Sequence, residues 1–251
     1  MTKSFWDHLD ELRSVLIRCV VAWAVCAVAA FCFRDALFAF LFAPAHPDFI
    51  TYRILNSLSL GEGWGEVSFI NIRLAAQFTT HMQVAALAGL VIAFPFIIQQ
   101  VYGFLSPALY PNEKRAVGRV ISLGTILFLC GVALNYLIIF PFAFRFLATY
   151  QVQPEVVNQI ALDSYVSTML ILSLVMGLLF EMPLVAWALG KAGILEAAWL
   201  KQYRRHAFVA LMILAAIITP TGDAFTLLLV TIPLYLLYEL SILVMPQTGK
   251  S

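Results

Sequence analysis

The chain has 251 residues, of which 62% are hydrophobic and only 12% charged, with a net charge of +1 and a mean hydropathy of +0.91. Soluble domains run to about 45–50% apolar and about 25% charged, so this composition argues against a globular enzyme and for a polytopic membrane protein. The small net charge gives no argument for nucleic acid, and Cys19, Cys26, Cys32 and Cys130 form no CxxC pair, so they read as small buried apolar residues and not as metal ligands.

Residues 1–14 read as a short amphipathic helix on the cytoplasmic side. Ser4 through Asp7 fits a capping box, and Phe5, Leu9, Leu12 and Leu16 recur at helical spacing. Asp7, His8, Asp10 and Glu11 lie off that stripe. The plain reading is an interfacial anchor with a solvated acidic face. The functional reading is a surface that holds a cation. These acids, and the absence of a small-residue cleavage site after the first apolar run, predict no cleavable leader.

Six apolar segments follow, at about Val15–Phe33, Leu74–Leu105, Val117–Phe140, Asp163–Gly190, Arg205–Ile218 and Ala224–Val244. A spanning helix needs about 20 residues, so the fifth is short. The sixth contains Pro233. Six crossings put both termini on one face. Lys3, Arg13, Arg18, Lys114, Arg115, Arg119, Lys191, Lys201, Arg204, Arg205 and Lys250 fall on that face, against Arg34, Arg53, Arg73 and Arg145 on the other. The positive-inside rule therefore predicts cytoplasmic termini, with residues 246–251 as a cytoplasmic tail. No internal repeat, low-complexity tract or soluble domain stands out, so residues 1–251 read as one all-α membrane domain.

Between these segments, the outer loop from Arg34 to about Arg73 carries Pro44, Pro47, Gly61, Gly63 and Gly65 and reads as structured but not strand-rich. The second segment opens on Arg73, Gln77, Thr80, His81 and Gln83, which reads as helix projecting outside the bilayer. The loop from Phe104 to Arg115 is turned by Pro107 and Pro111, and Glu113 then opens the third segment. Glu113 complements the helix dipole there. It also adds a second carboxylate on the face that carries Glu11. Guanidinium groups grip carboxylates in a planar fork that lysine cannot copy, so two such acids on rigid elements can tell Arg-Arg from Lys-Lys.

Glu181 lies inside the fourth segment, about 13 Å of helix from its cytoplasmic end at Gly190. A mid-bilayer charge costs roughly 2.5–3.5 kcal/mol on insertion scales, so the residue is expected to face a hydrated, protein-lined cavity or to stay protonated. Glu239 in the sixth segment is a candidate for the same cavity, nearer the cytoplasmic edge. The turn Thr219-Pro220-Thr221-Gly222-Asp223 joins the last two segments.

Taken together, these residues resemble the TatC family, the polytopic core of the twin-arginine protein translocase, along essentially the whole chain. The resemblance rests on His8-Leu9-Asp10-Glu11-Leu12-Arg13 and Phe104 through Arg115. It extends to Ala43-Pro44, Phe140 through Phe144, Phe180-Glu181-Met182-Pro183, Thr219-Pro220 with Asp223, and Pro233 with Tyr235 and Glu239. It implies six helices in a concave, glove-like arrangement. It implies a twin-arginine site on Glu11 and Glu113, with His8, Arg13 and Phe104 in the same signatures, and an intramembrane acid at Glu181. It also implies docking of TatA- and TatB-type single-span partners near Thr219 and Asp223, self-association in a receptor complex, and use of the proton-motive force at a bacterial inner membrane. Two departures stand at the last turn: one extra residue between Pro220 and Asp223, and Leu227 where the family has Gln. The expected role is a receptor and scaffold with no cofactor. The rival reading is a proton-coupled secondary transporter of a small cation or amine centred on Glu181, although such transporters often show the repeats that are missing here. A plain assembly scaffold is a third reading.

Overall fold

The computed structural model describes residues 5–57, 67–109, 114–153, 158–219 and 222–246. In a bilayer the backbone must bond within itself, and this chain does so as helices. α1 (Phe5–Phe31) crosses first, and α2 (Arg34–Phe42), a 3-10 turn (Ala43–Ala45) and α3 (Ile50–Ser57) form an outer cap. After β1 (Phe69–Ile70), α4 (Ala76–Leu109) crosses back. The third crossing is α5 (Lys114–Leu134), a π-helical turn (Asn135–Ile139) and α6 (Phe140–Thr149). β2 (Ile160–Ala161) pairs in parallel with β1, Phe69 opposite Ile160. The fourth crossing is α7 (Leu162–Leu179) with α8 (Met182–Lys191). A short α9 (Ala197–Gln202) leads to the hairpin of α10 (Arg204–Ile218) and α11 (Ala224–Val244). Among the described residues, five of these paths are long and apolar enough to span a membrane. α10, at 15 residues, is the short one.

Several boundaries differ from the sequence expectation: α4 continues through Pro107, expected to turn the loop, to Leu109, and three others differ for a local reason. The expected N-terminal helix is not separate. It runs unbroken into the first crossing as one 27-residue helix, with no Gly or Pro to interrupt it. The third crossing passes Phe140 and continues to Thr149. Pro141 has no N–H for the Leu137 carbonyl; the π turn accommodates the misfit and the Thr51 hydroxyl donates to that carbonyl instead. The fourth crossing breaks at Phe180-Glu181, because Pro183 cannot donate to Leu179. α8 ends at Lys191, and Gly193 beyond it, with a φ of 70°, turns the chain so that the Ile194 N–H reaches Leu189.

The cap is fixed by side chains that donate to backbone carbonyls at the end of α2 and in the 3-10 turn after it. Tyr136 donates to Phe40 (2.7 Å), Tyr165 to Leu41 (2.8 Å), Tyr52 to Pro44 (2.9 Å) and Arg145 Nη2 to Ala45 (3.0 Å). Arg145 is only 2% exposed, and its guanidinium lies 4.7 Å from the Tyr52 ring centroid. Burial pushes the Tyr52 phenol up to about 12, opposed by the Arg145 side chain beside it. Phe49, Phe140 and Phe144 pack around these tyrosines as the outer core. A second core, Phe94, Ile98, Tyr102, Val120, Phe128 and Leu184, lies between α4, α5 and α8.

α1 and α4 run antiparallel along each other. A Cβ built on Gly89 would fall 2.4 Å from the Ala27 nitrogen, so only glycine allows this approach. Phe31 stacks on His81 at 3.9 Å, Trp23 Nε1 donates to Ala86 (2.8 Å), and Arg18 Nη1 reaches Gln100 Oε1 (3.5 Å).

Candidate functional site

The α1–α4 register organises the N-terminal face. Continued from Phe31–His81 through Ala27–Gly89 to Arg18–Gln100, it brings Glu11 level with the last turns of α4, where Phe104 stands. Glu11 is half-buried and Arg13 exposed; Phe104 is half-buried. Asp10 is also exposed, so the predicted acidic face has solvent on one side. His8 belongs to α1, but its side chain, residues 110–113 with Glu113, and residues 247–251 lie outside the described residues.

Glu181 sits at the break between α7 and α8. Among the described residues, its buried Oε1 has no hydrogen-bond partner. A Cβ on Gly124 would stand 3.1 Å from its Oε2, 3.0 Å from Leu184 Cδ2 and 2.1 Å from Ile98 Cδ1. Gly124 thus makes room for the carboxylate among apolar neighbours. An acceptor held this way has high affinity for a donor, since an unmet buried polar group costs about 1–3 kcal/mol. A groove of about 330 Å³ runs between α1, α4 and α7, lined by Trp23, Gln83, Leu90, Ser167, Leu170 and Leu174. Glu181 follows just past the end of α7, the helix whose Ser167, Leu170 and Leu174 line this groove.

Glu239 does not point to the same neighbours. Its Oε2 accepts from Arg204 Nη2 (2.7 Å) and its Oε1 from the Tyr235 hydroxyl (3.1 Å), closing the open end of the α10–α11 hairpin. At the other end, Asp223 caps α11, its Oδ1 accepting from the Thr226 N–H at 2.6 Å. The Thr219 hydroxyl is buried and donates to Ala215 (2.9 Å). Asp223 thus fixes the start of α11, and Thr219, 4% exposed, bonds back into the end of α10. The polar start of α4 divides in a similar way. Thr80 and Val84 are buried, Gln77 is exposed, His81 lies against Phe31 and Phe38, and Arg73 pairs with Asp163 (3.0 Å).

Sequence reasoning counted Arg145 only as an outer cation and missed its buried place in the cap. The proline two residues after the π turn and the aromatic run around it were the available signals. It also missed Asn135, fully buried with its Nδ2 donating to Ser173 Oγ (2.8 Å) between the π turn and α7. Among the described residues no group of three or more His, Cys, Asp or Glu is placed to hold a metal ion.

Comparison with known proteins adds to this geometry. Residues 7–233 match the model of a Sec-independent protein translocase protein family, TatC. The chain is 34% identical to the Sec-independent protein translocase protein TatC of Blattabacterium sp. subsp. Periplaneta americana, over 98% of this chain and 96% of the relative. It is 37% identical to the protein of that name from Deinococcus radiodurans, over 94% and 83%. Its fold is similar to a crystal structure of the twin-arginine translocase receptor TatC, with a TM-score of 0.77, 33% identity, and coverage of 94% and 97% of the two chains.

Proposed function

Since the chain belongs to the TatC family of Sec-independent protein translocases, and is therefore a multi-pass translocase component and not an enzyme, we propose that it is the receptor for twin-arginine signal peptides. Glu11 and Glu113 hold the two guanidinium groups in bidentate pairs at the cytoplasmic surface, with His8, Arg13 and Phe104 around them. The apolar part of the peptide lies in the groove between α4 and α7. Glu181 offers a buried acceptor to a polar side chain at the inner end of that groove. TatA- and TatB-type single-span partners dock near the α10–α11 hairpin, around Thr219 and Asp223. The receptor self-associates, sits in a bacterial inner membrane, and transport draws on the proton-motive force. Membership in a protein-translocase family sets aside the small-molecule transporter.

The observation that supports this reading is the α1–α4 register, which brings Glu11 level with the end of α4, four positions before Glu113 in the sequence. A similar fold is that of a protein solved as a twin-arginine translocase receptor, which adds support. The test is export in cells lacking their own copy of this component. A folded reporter carrying an Arg-Arg signal should be exported with the wild-type chain, and export should fall at least tenfold with Glu11→Ala or Glu113→Ala at equal protein level. Undiminished export in both variants would remove the twin-carboxylate site.

A further inference from the structure

A slot of about 380 Å³ opens between α5, α8 and α11, away from the groove described above. Each helix contributes residues one turn apart: Arg119, Leu123 and Leu127 from α5; Leu184, Trp187 and Lys191 from α8; Leu240 and Val244 from α11. Both cations line the slot, Arg119 in the second turn of α5 and Lys191 at the end of α8. The apolar residues run inward from them for about 12 Å of helix, the distance from Arg119 to Leu127. The Lys191 ammonium lies 5.4 Å from the Trp187 ring centroid, so the rim combines an aromatic body with positive charge. Trp at this level marks the membrane interface, and long cationic side chains there turn their heads to the headgroup layer.

We propose that this slot is a binding site for an anionic phospholipid of the leaflet on the side of the chain termini, its phosphate held by Arg119 and Lys191 and an acyl chain running along Leu123, Leu127, Leu184 and Leu240. Charge complementarity selects this occupant. An apolar partner helix would gain nothing from two cations at the mouth, whereas basic pockets between transmembrane helices suit anionic headgroups. The site requires no signal peptide and stands independently of the receptor reading.

Trp187 provides the readout. The full chain with Trp6, Trp23, Trp64 and Trp199 replaced by Phe is reconstituted in phosphatidylcholine vesicles containing a small fraction of brominated lipid. Brominated phosphatidylglycerol should quench Trp187 more strongly than brominated phosphatidylcholine at the same fraction. Unbrominated phosphatidylglycerol should restore the emission, and inorganic phosphate should not. Arg119→Gln and Lys191→Gln should each lower the preference about fivefold, and Arg119→Lys should keep it. Equal quenching by the two lipids, emission restored by phosphate alone, or a preference that survives the double Gln variant would overturn the proposal. The competition arm uses the native rim residues, so it decides the matter even if a rim variant fails to fold.

Discussion

Replacing Gly89 by Ala should loosen α1 from the rest of the molecule. The new Cβ would lie 2.4 Å from Ala27 N and 2.5 Å from Ala27 Cα. Carbon atoms settle at about 3.5–4.0 Å, so the helices must part by about 1 Å. The opposing atoms are backbone and cannot rotate aside. Overpacking of this kind costs about 1–3 kcal/mol. In lipid, such close contacts between small residues are a main source of helix association. α1 has little other support, since only 11% of its spanning window is buried within the protein. Gly103, in α4 like Gly89, is the matched control: a Cβ there meets nothing within 4 Å, and the substitution should gain roughly 0.5–1 kcal/mol. The assay is the temperature at which half of the purified protein remains monodisperse in detergent, with reporter export alongside. Gly89→Ala should lower both, whereas Gly103→Ala should lower neither. Equal shifts for the two variants, or an unchanged Gly89→Ala, would refute the reasoning that α1 is seated through this contact.

Glu181→Leu should raise that temperature, because it removes a buried oxygen that has no hydrogen-bond partner among the described residues, and should at the same time reduce export; a variant that is less stable and fully active would contradict the assigned role. Tyr52→Phe removes the hydroxyl that bonds Pro44 and Pro141, and should cost about 1–3 kcal/mol by leaving buried carbonyls unmet. The phenol's value in the folded protein lies above its ordinary 10, so its stabilisation is present below pH 10 and is lost as pH rises through about 12. The gap in unfolding temperature between wild type and Tyr52→Phe should therefore narrow above pH 10, and a widening gap would contradict the burial. Arg204→Gln and Glu239→Gln should each lower stability slightly, with a coupling below about 1 kcal/mol in the double variant, since the Arg204 side chain is 47% exposed. A coupling of several kcal/mol would mean that the pair is not a solvent-screened clasp.

The crossings were legible because apolar length is a strong signal: the sixth segment agrees with α11 residue for residue, and the fifth differs from α10 by one. Proline effects were less so. Pro141 reads as the start of a loop, yet a hydroxyl 90 positions earlier in the chain replaces its missing donor and the helix continues; nothing near Pro141 signals Thr51. Pro183 acts locally, and a break beside Glu181 could have been read from it. The intramembrane acid was found from sequence because charge is rare in such segments, but its neighbour Gly124 was not, since a glycine's use depends on what faces it. Glu239 showed the opposite problem: its charge was visible, while its partner Arg204, across the hairpin, required the fold. Arg145 was hidden by its position on the sparsely charged face, where a buried cation bonding a carbonyl looks the same in sequence as a solvated one.

The most direct measurement is the binding of an Arg-Arg signal peptide to the purified chain in detergent, compared with the same peptide carrying Lys-Lys, for wild type, Glu11→Ala and Glu113→Ala. A receptor built on two carboxylates predicts selective binding of the Arg-Arg peptide, lost in both variants. Equal binding of the two peptides, unchanged by either substitution, would contradict it.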